Sequence, residues 1–396
     1  MTGVSNFRKF RRLCALTAGL LLTCEAACAH LIRVGPGESV KTIAEAAQLA
    51  KDDDVVEIAP GHYDGDVATW TQKRLVIRGM GGRPVLNAAG KSAQGKAIWV
   101  FSDGDFTVSN IEFRGARVAD GNGAGIRFEK GRLLVRQCVF LDNQMGLLTA
   151  NFADAELTVE NSLFAQAPRQ ASPLPHLLYA GRIALLRVNG SRFQGGFHGH
   201  LVKSRARVSD LRYNLIVDGP GGQASYEADF PNGGDVTLVG NVIGQSRTTE
   251  NPTLVAYAAE GGSWSTNRLR MVHNTLYSEG LRPAWFLHVF ADRLARPPDV
   301  LTRNNLLVGL GLFSFHVAGQ HSGNYFVPAS VLGQPDEMDF TLGAHAWLRG
   351  RVSPLLPDPD GLQPSMEQRV PGQLSAIAAA PQWVPGAIQA PTAPGR

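Results

Sequence analysis

One short unit recurs along most of this chain, and that recurrence limits the available folds more than any other feature. The segments VSNIEF (108–113), VRQCVF (135–140), VENSLF (159–164), VNGSRF (188–193), LRYNLIV (211–217), LVGNVI (238–243), MVHNTLY (271–277) and LTRNNLLV (301–308) share an aliphatic start, two variable positions, frequently an asparagine, and an apolar finish. Aligned on Asn110, Gln137, Asn161, Gly190, Asn214, Asn241, Asn274 and Asn305, they lie 24 to 33 residues apart, a period typical of solenoids. Runs of β-branched and aromatic residues alternate with Gly, Asn and Asp, and no unit carries a sustained apolar stripe of helical period. A unit of this size cannot bury its apolar face alone and must stack on its neighbours. Asparagine repeated at one turn position suits a ladder of side-chain amides between coils about 4.8 Å apart. Propeller blades need about 40 residues each, more than these units supply. The expectation is an all-β, single-stranded, right-handed parallel β-helix solenoid.

The ends of the repeat region agree. SVKTIAEAAQLAK (39–51) has the pattern of an amphipathic capping helix with Ser39 as a possible N-cap, and VVEIAPGHY (55–63) reads as a first strand and turn. Residues 357–396 are rich in proline and glycine and predict an irregular cap or tail, with the last dozen residues mobile. SVKTIAEAAQLAKDDDVVEIAPGHY resembles the opening of the pectate-lyase-like superfamily of right-handed parallel β-helix proteins, and DFTLG (339–343) with SPLL (353–356) resembles its closing segment. KSRA (203–206) is similar to a segment of uncharacterised exported β-helix repeat proteins. The resemblance spans about residues 32–356 and implies a fold. Because that superfamily holds lyases, hydrolases, epimerases, esterases and adhesins, it leaves the reaction open.

Residues 1–29 carry a basic start (Arg8, Lys9, Arg11, Arg12), an apolar run from Leu13 to Thr23 and an Ala27-Cys28-Ala29 site, the pattern of a signal peptide cleaved before His30. A lipoprotein reading at Cys24 fits less well, because threonine precedes the cysteine. The expected location is periplasmic or secreted. Cleavage removes four basic side chains and Glu25, so the formal charge of +4 falls close to neutrality and gives no support to nucleic-acid binding. Of four cysteines only Cys138 remains, leaving no intrachain disulfide and a reading of Cys138 as a small buried apolar residue. No later segment is apolar for long enough to span a bilayer, so integral membrane association is not expected. The domain reading is therefore a signal at 1–29, a β-helix with its N-terminal cap at 30–356, and a Pro-rich tail or cap at 357–396.

Chemistry concentrates in GGFHGHLVKSRARVSDLRYN (195–214), GPGGQASYEADFPNGGD (219–235) and LVAYAAEGG (254–262). Stacking these coils gathers His198, His200, Lys203, Arg205, Tyr226, Glu227, Asp229, Tyr257 and Glu260 on one strand and the turn after it. Such a patch suits β-elimination on an acidic, uronate-containing polysaccharide, which needs a base, a group that neutralises the sugar carboxylate, and a proton donor for the departing oxygen. Lys203 fits the base, Arg205 the carboxylate holder, and His200, Tyr226 or Tyr257 the donor. His198, Glu227, Asp229, Tyr257 and Glu260 are candidate substrate contacts, with Glu227 and Asp229 as ligands if Ca²⁺ takes part. The resemblance adds that superfamily lyases use Lys or Arg bases with acidic or calcium support.

Two other classes stay open. A glycoside hydrolase would draw its paired carboxylates from Glu227, Asp229 and Glu260, and a non-catalytic glycan-binding or envelope protein would use the same charges as an ion-pair ladder. H-x-H at 198–200 also serves as a turn, and PNGGD (231–235) reads as a tight turn. His288 and His316 read as core or ladder residues of late strands.

Overall fold

A computed structural model describes residues 30–170, 174–343, 346–355, 358, 360–378 and 382–390. The proposed signal at 1–29 lies outside the described residues. The chain winds through three parallel strands per coil. A representative coil runs Leu185–Asn189, Arg192–Gln194, Val202–Ser204, and the next runs Val208–Arg212, Leu215–Val217, Ala228–Phe230. Each strand pairs in parallel with its counterpart one coil on, giving a first, a second and a third ladder. The first and third join into one 20-stranded sheet through the long strands Ala97–Ser109 and Ala124–Arg136, while the second forms an 11-stranded sheet.

The repeat segments supply the first ladder, a turn, and the second ladder. Their final apolar residues point inward and stack: Phe113, Phe140, Phe164 and Phe193 lie 5.1, 4.4 and 4.9 Å apart, nearly parallel. Ile216, Ile243, Leu276 and Leu307 continue the row. Cys138 is buried, and desolvation pushes its thiol up to about 12.

The turn between first and second ladders carries the polar ladder, with one correction. In the first four units the residues aligned above, Asn110, Gln137, Asn161 and Gly190, take the left-handed conformation; their spatial counterparts later are Tyr213, Gly240, His273 and Asn304. The ladder position is one residue further on. There Ser162, Ser191, Asn214, Asn241, Asn274, Asn305 and Asn324 each accept the backbone N–H of the corresponding residue in the preceding coil, starting from Cys138. The asparagines also bond to one another at 2.8–3.0 Å. Serine hydroxyls do the same work where no amide is present, which is why the sequence alignment slipped.

At the N-terminal end the helix is shorter than expected, Ile43–Leu49, and its cap is Thr42 rather than Ser39. Asp66 of the next coil also accepts from the N–H groups of Ile43 and Ala44. Ile43, Ala46 and Ala47 join the solenoid core. The C-terminal part differs more. Val331, Leu332, Phe340, Leu342 and Leu348, with Val384, Ala387 and Ile388, cover the outer face of the second ladder around Val217, Val242 and Val308. Leu355, Leu362, Met366 and Leu374 pack beside Tyr213, Val239 and Val272. The expected tail is thus a strap along the solenoid's flank, and Val384, Ala387 and Ile388 within it are buried. Its apolar side chains find the outward valines of late coils, so residues 382–390 are held in place; 391–396 lie outside the described residues.

Candidate functional site

The third ladder positions the predicted cluster. By strand register, Tyr179, Lys203, Asp229, Ala256 and His288 form one row across successive coils. Their strand neighbours Leu178, Val202, Ala228 and Val255 face the core, so the row faces outward. At the entry to these strands His176, His200 and Tyr226 form a second row, with ring centroids 4.8 Å apart at each step.

Lys203 lies between two carboxylates. Its Nζ is 3.8 Å from Asp229 Oδ2 and 3.8 Å from Glu260 Oε1, and it sits over the Tyr179 ring at 5.5 Å. Although its side chain is only 13% exposed, none of these approaches is a hydrogen bond. The ammonium is therefore positioned by charge, and its N–H groups make no hydrogen bond among the described residues. Asp229 is also incompletely used: Oδ2 lies 3.1 Å from His200 Nδ1 without hydrogen-bond alignment, and buried Oδ1 has no partner among the described residues.

Arg205 is the opposite case. Its guanidinium donates to both oxygens of Glu260 (2.7 and 2.9 Å), to Tyr179 Oη (2.8 Å) and to Asn232 Oδ1 (2.6 Å). Despite burial that works the other way, the hydrogen bonds to Glu260 and Tyr179 hold its pKa above the usual arginine value. Those bonds from Arg205 in turn hold the Glu260 carboxyl below the usual range, with help from Lys203. Arg205 builds the site by tying its own coil to three others, and it has little donor capacity left for a ligand.

Two expected contacts face elsewhere. Tyr257 follows the core row Phe230, Tyr257, Val289; it is fully buried, and its hydroxyl donates to Gly234 O at 2.7 Å. Burial raises its pKa, and the hydroxyl is already committed. Glu227 does not share the face of Asp229. It stands at the corner preceding the strand Ala228–Phe230, fully buried, with both carboxyl oxygens unpartnered among the described residues. Burial, reinforced by nearby Asp218, drives its pKa well above the carboxylate range. Glu227 and Asp229 therefore do not form a calcium-binding pair. Among the described residues no group of three or more His, Cys, Asp or Glu side chains converges as metal ligands.

The two histidines of H-x-H separate. His198, at φ 55°, faces Glu250 across 3.1 Å, whereas His200 is buried between His176 and Tyr226. The sequence reading overlooked three members of the site. His176 accepts the His200 backbone N–H on Nδ1 at 2.9 Å, and burial keeps its pKa well below the usual value, so the ring is neutral with its proton on Nε2. Tyr179 and Asn232 fix Arg205. HLLY (176–179) and HLVK (200–203) stand at one offset before Gly190 and Asn214, a signal that could have revealed both His176 and Tyr179. His288 lies outward between the Trp285 and Phe290 rings, and His316 is exposed, so neither is a core residue.

Three parallel ladders, an internal aromatic stack and a polar turn ladder define the class: this is a parallel β-helix of the fold seen in pectate lyases. Among solved structures, the crystal structure of pectate lyase Pel9A matches with a TM-score of 0.60 at 13% sequence identity, covering 91% of this chain and 97% of that one. At that identity the likeness is one of fold. No protein-family model and no curated protein matches the sequence.

Proposed function

We propose that this protein is an exported carbohydrate-active β-helix that cleaves an acidic, uronate-containing polysaccharide by β-elimination, with Lys203 as the base. The observation that carries this reading is the Lys203 side chain, held on the outward row between Asp229 and Glu260 with no hydrogen bond among the described residues. The likeness in fold to a pectate lyase supports it. In this reading Lys203 gives its ammonium proton to water and, as the free amine, takes the proton from the carbon bearing the sugar carboxylate. The electron pair forms the ring double bond, the bond to the glycosidic oxygen breaks, and that oxygen receives a proton. Tyr226 and His200 are the donors nearest the row, and burial raises the Tyr226 pKa, which keeps its hydroxyl protonated. Asp229 orients Lys203 and His200 from one carboxylate. No step is assigned to calcium, because Glu227 is turned into the core.

A second reading rests on one observation: Asp229 and Glu260 both reach the Lys203 ammonium, so two carboxylates flank one point, as a glycoside hydrolase requires. Incubating the mature protein with pectate, alginate, glycosaminoglycans and acidic exopolysaccharides separates the possibilities. New ultraviolet absorbance from unsaturated uronate ends, abolished in Lys203→Ala and retained in an exposed variant such as Arg282→Ala, supports the lyase. Reducing ends without that absorbance would favour the hydrolase. Binding without either would leave a glycan-binding protein. Export predicts that protein recovered outside the cytoplasm begins at His30, which N-terminal sequencing checks.

A further inference from the structure

An elimination site must neutralise the uronate carboxylate, and with Arg205 committed to Glu260, Tyr179 and Asn232 that task needs another group. Arg182 meets the requirement. It follows Tyr179 by one turn, is exposed, and has no carboxylate or other hydrogen-bond acceptor for its guanidinium among the described residues. Its contact is the indole of Trp264, with the guanidinium carbon 5.8 Å from the ring centroid.

Both partners are fixed from below. The N–H groups of Gly181 and Arg182 donate to Thr149 Oγ1 and Asn151 Oδ1 of the preceding coil, each at 2.8 Å. A Cβ at residue 181 would come within 2.5 Å of Asn151 Oδ1, so this close approach requires glycine. Trp264 belongs to the long turn after Thr253–Tyr257, the same turn that returns Glu260 to Arg205. Its Nε1 donates to the Arg205 carbonyl at 3.2 Å, which anchors the indole on the coil of Lys203.

We infer that Arg182 and Trp264 form a carboxylate-reading subsite for an acidic sugar beside Lys203, Arg182 pairing with the uronate carboxylate and the indole holding the guanidinium against one side of the row. This deepens the reading of the site as one for uronate polymers and rests on it. The chemistry follows from the donors: a planar guanidinium with free N–H groups binds carboxylate in two-point fashion, and stacking on an indole limits the freedom it loses in doing so.

The test uses free galacturonate, which has no glycosidic bond to eliminate, and galactose as its neutral counterpart. The reporter is the Trp264 indole N–H resonance in ¹⁵N-labelled mature protein, assigned through Trp264→Phe. Galacturonate is expected to shift that resonance and galactose to leave it in place. Arg182→Ala should weaken galacturonate by about tenfold, the loss expected for one charge-assisted pair, and Arg182→Lys should recover part of it. A Trp264 signal indifferent to galacturonate, or an Arg182→Ala protein that binds as well as the parent, overturns the subsite. Polymer cleavage is scored separately. Cleavage by a protein whose Trp264 signal does not respond sinks the subsite alone, whereas a Trp264 response without cleavage sustains the subsite and removes the lyase.

Discussion

Glu227 occupies a position where the coils before and after place Leu201 and Leu254. Its carboxyl has no partner among the described residues, and its charged form is opposed by burial and by Asp218, itself raised to about 6. Asp218 spends its oxygens on the N–H groups of Gly196 and Ala224 and offers Glu227 no proton. The folded protein therefore retains a proton on Glu227 that the unfolded chain gives up above the ordinary carboxylate pKa. Stability from this group is complete at low pH and declines as pH rises toward its folded value. Glu227→Leu should flatten that decline and gain roughly 1–3 kcal/mol at pH 8, measured by urea unfolding across pH; parallel wild-type and variant profiles would disprove it. The same residue shows where the sequence stopped being legible. Lys203, Arg205, Asp229 and Glu260 were readable as one patch because coil spacing brings them together. Whether Glu227 turned inward was not readable, because corner positions break the two-residue alternation that assigns faces within a strand.

Among elements, the turn between the first and second ladders is the most uniform. Asn241 accepts the N–H and Nδ2 groups of Asn214 and passes its own donors to Asn274 and Leu211 O, all out of contact with water. Asn241→Leu strands two buried donors and should cost about 2–4 kcal/mol, read as a lower thermal midpoint. Asn241→Ser should cost less, since Ser162 and Ser191 already fill that role in earlier coils; equal losses would show that the oxygen is not what matters. The periodicity of strands and turns was visible from the sequence, as was an asparagine ladder, but its register was not. Gly190 and Asn161 looked equivalent to Asn214, because a left-handed turn residue and a ladder residue are drawn from the same few amino acids.

At the level of the whole molecule, the strap decides how the solenoid meets solvent. His273 sits beneath it, its Nε2 accepting from Asn304 Nδ2 at 3.0 Å and its ring packing 5.5 Å from that of Trp383. Burial lowers its pKa to about 4, so the folded form resists protonation. Stability is full above the ordinary histidine pKa and is lost as pH falls from there toward 4. Limited proteolysis at pH 4 should therefore cut within 355–390 before the coils open, and His273→Phe should slow that cut; identical cleavage at pH 4 and 7 would refute a histidine latch. Little of this was readable beforehand, since proline-rich sequence of low periodicity does not reveal which outward valines it will meet. The polar ladder carries one more consequence, for the order of assembly. From Cys138 to Asn305 each rung gives its backbone N–H to a side-chain oxygen in the coil that follows it in sequence. A chain delivered amino end first thus carries, at its growing tip, a ladder N–H that water holds until the oxygen of the next coil replaces it.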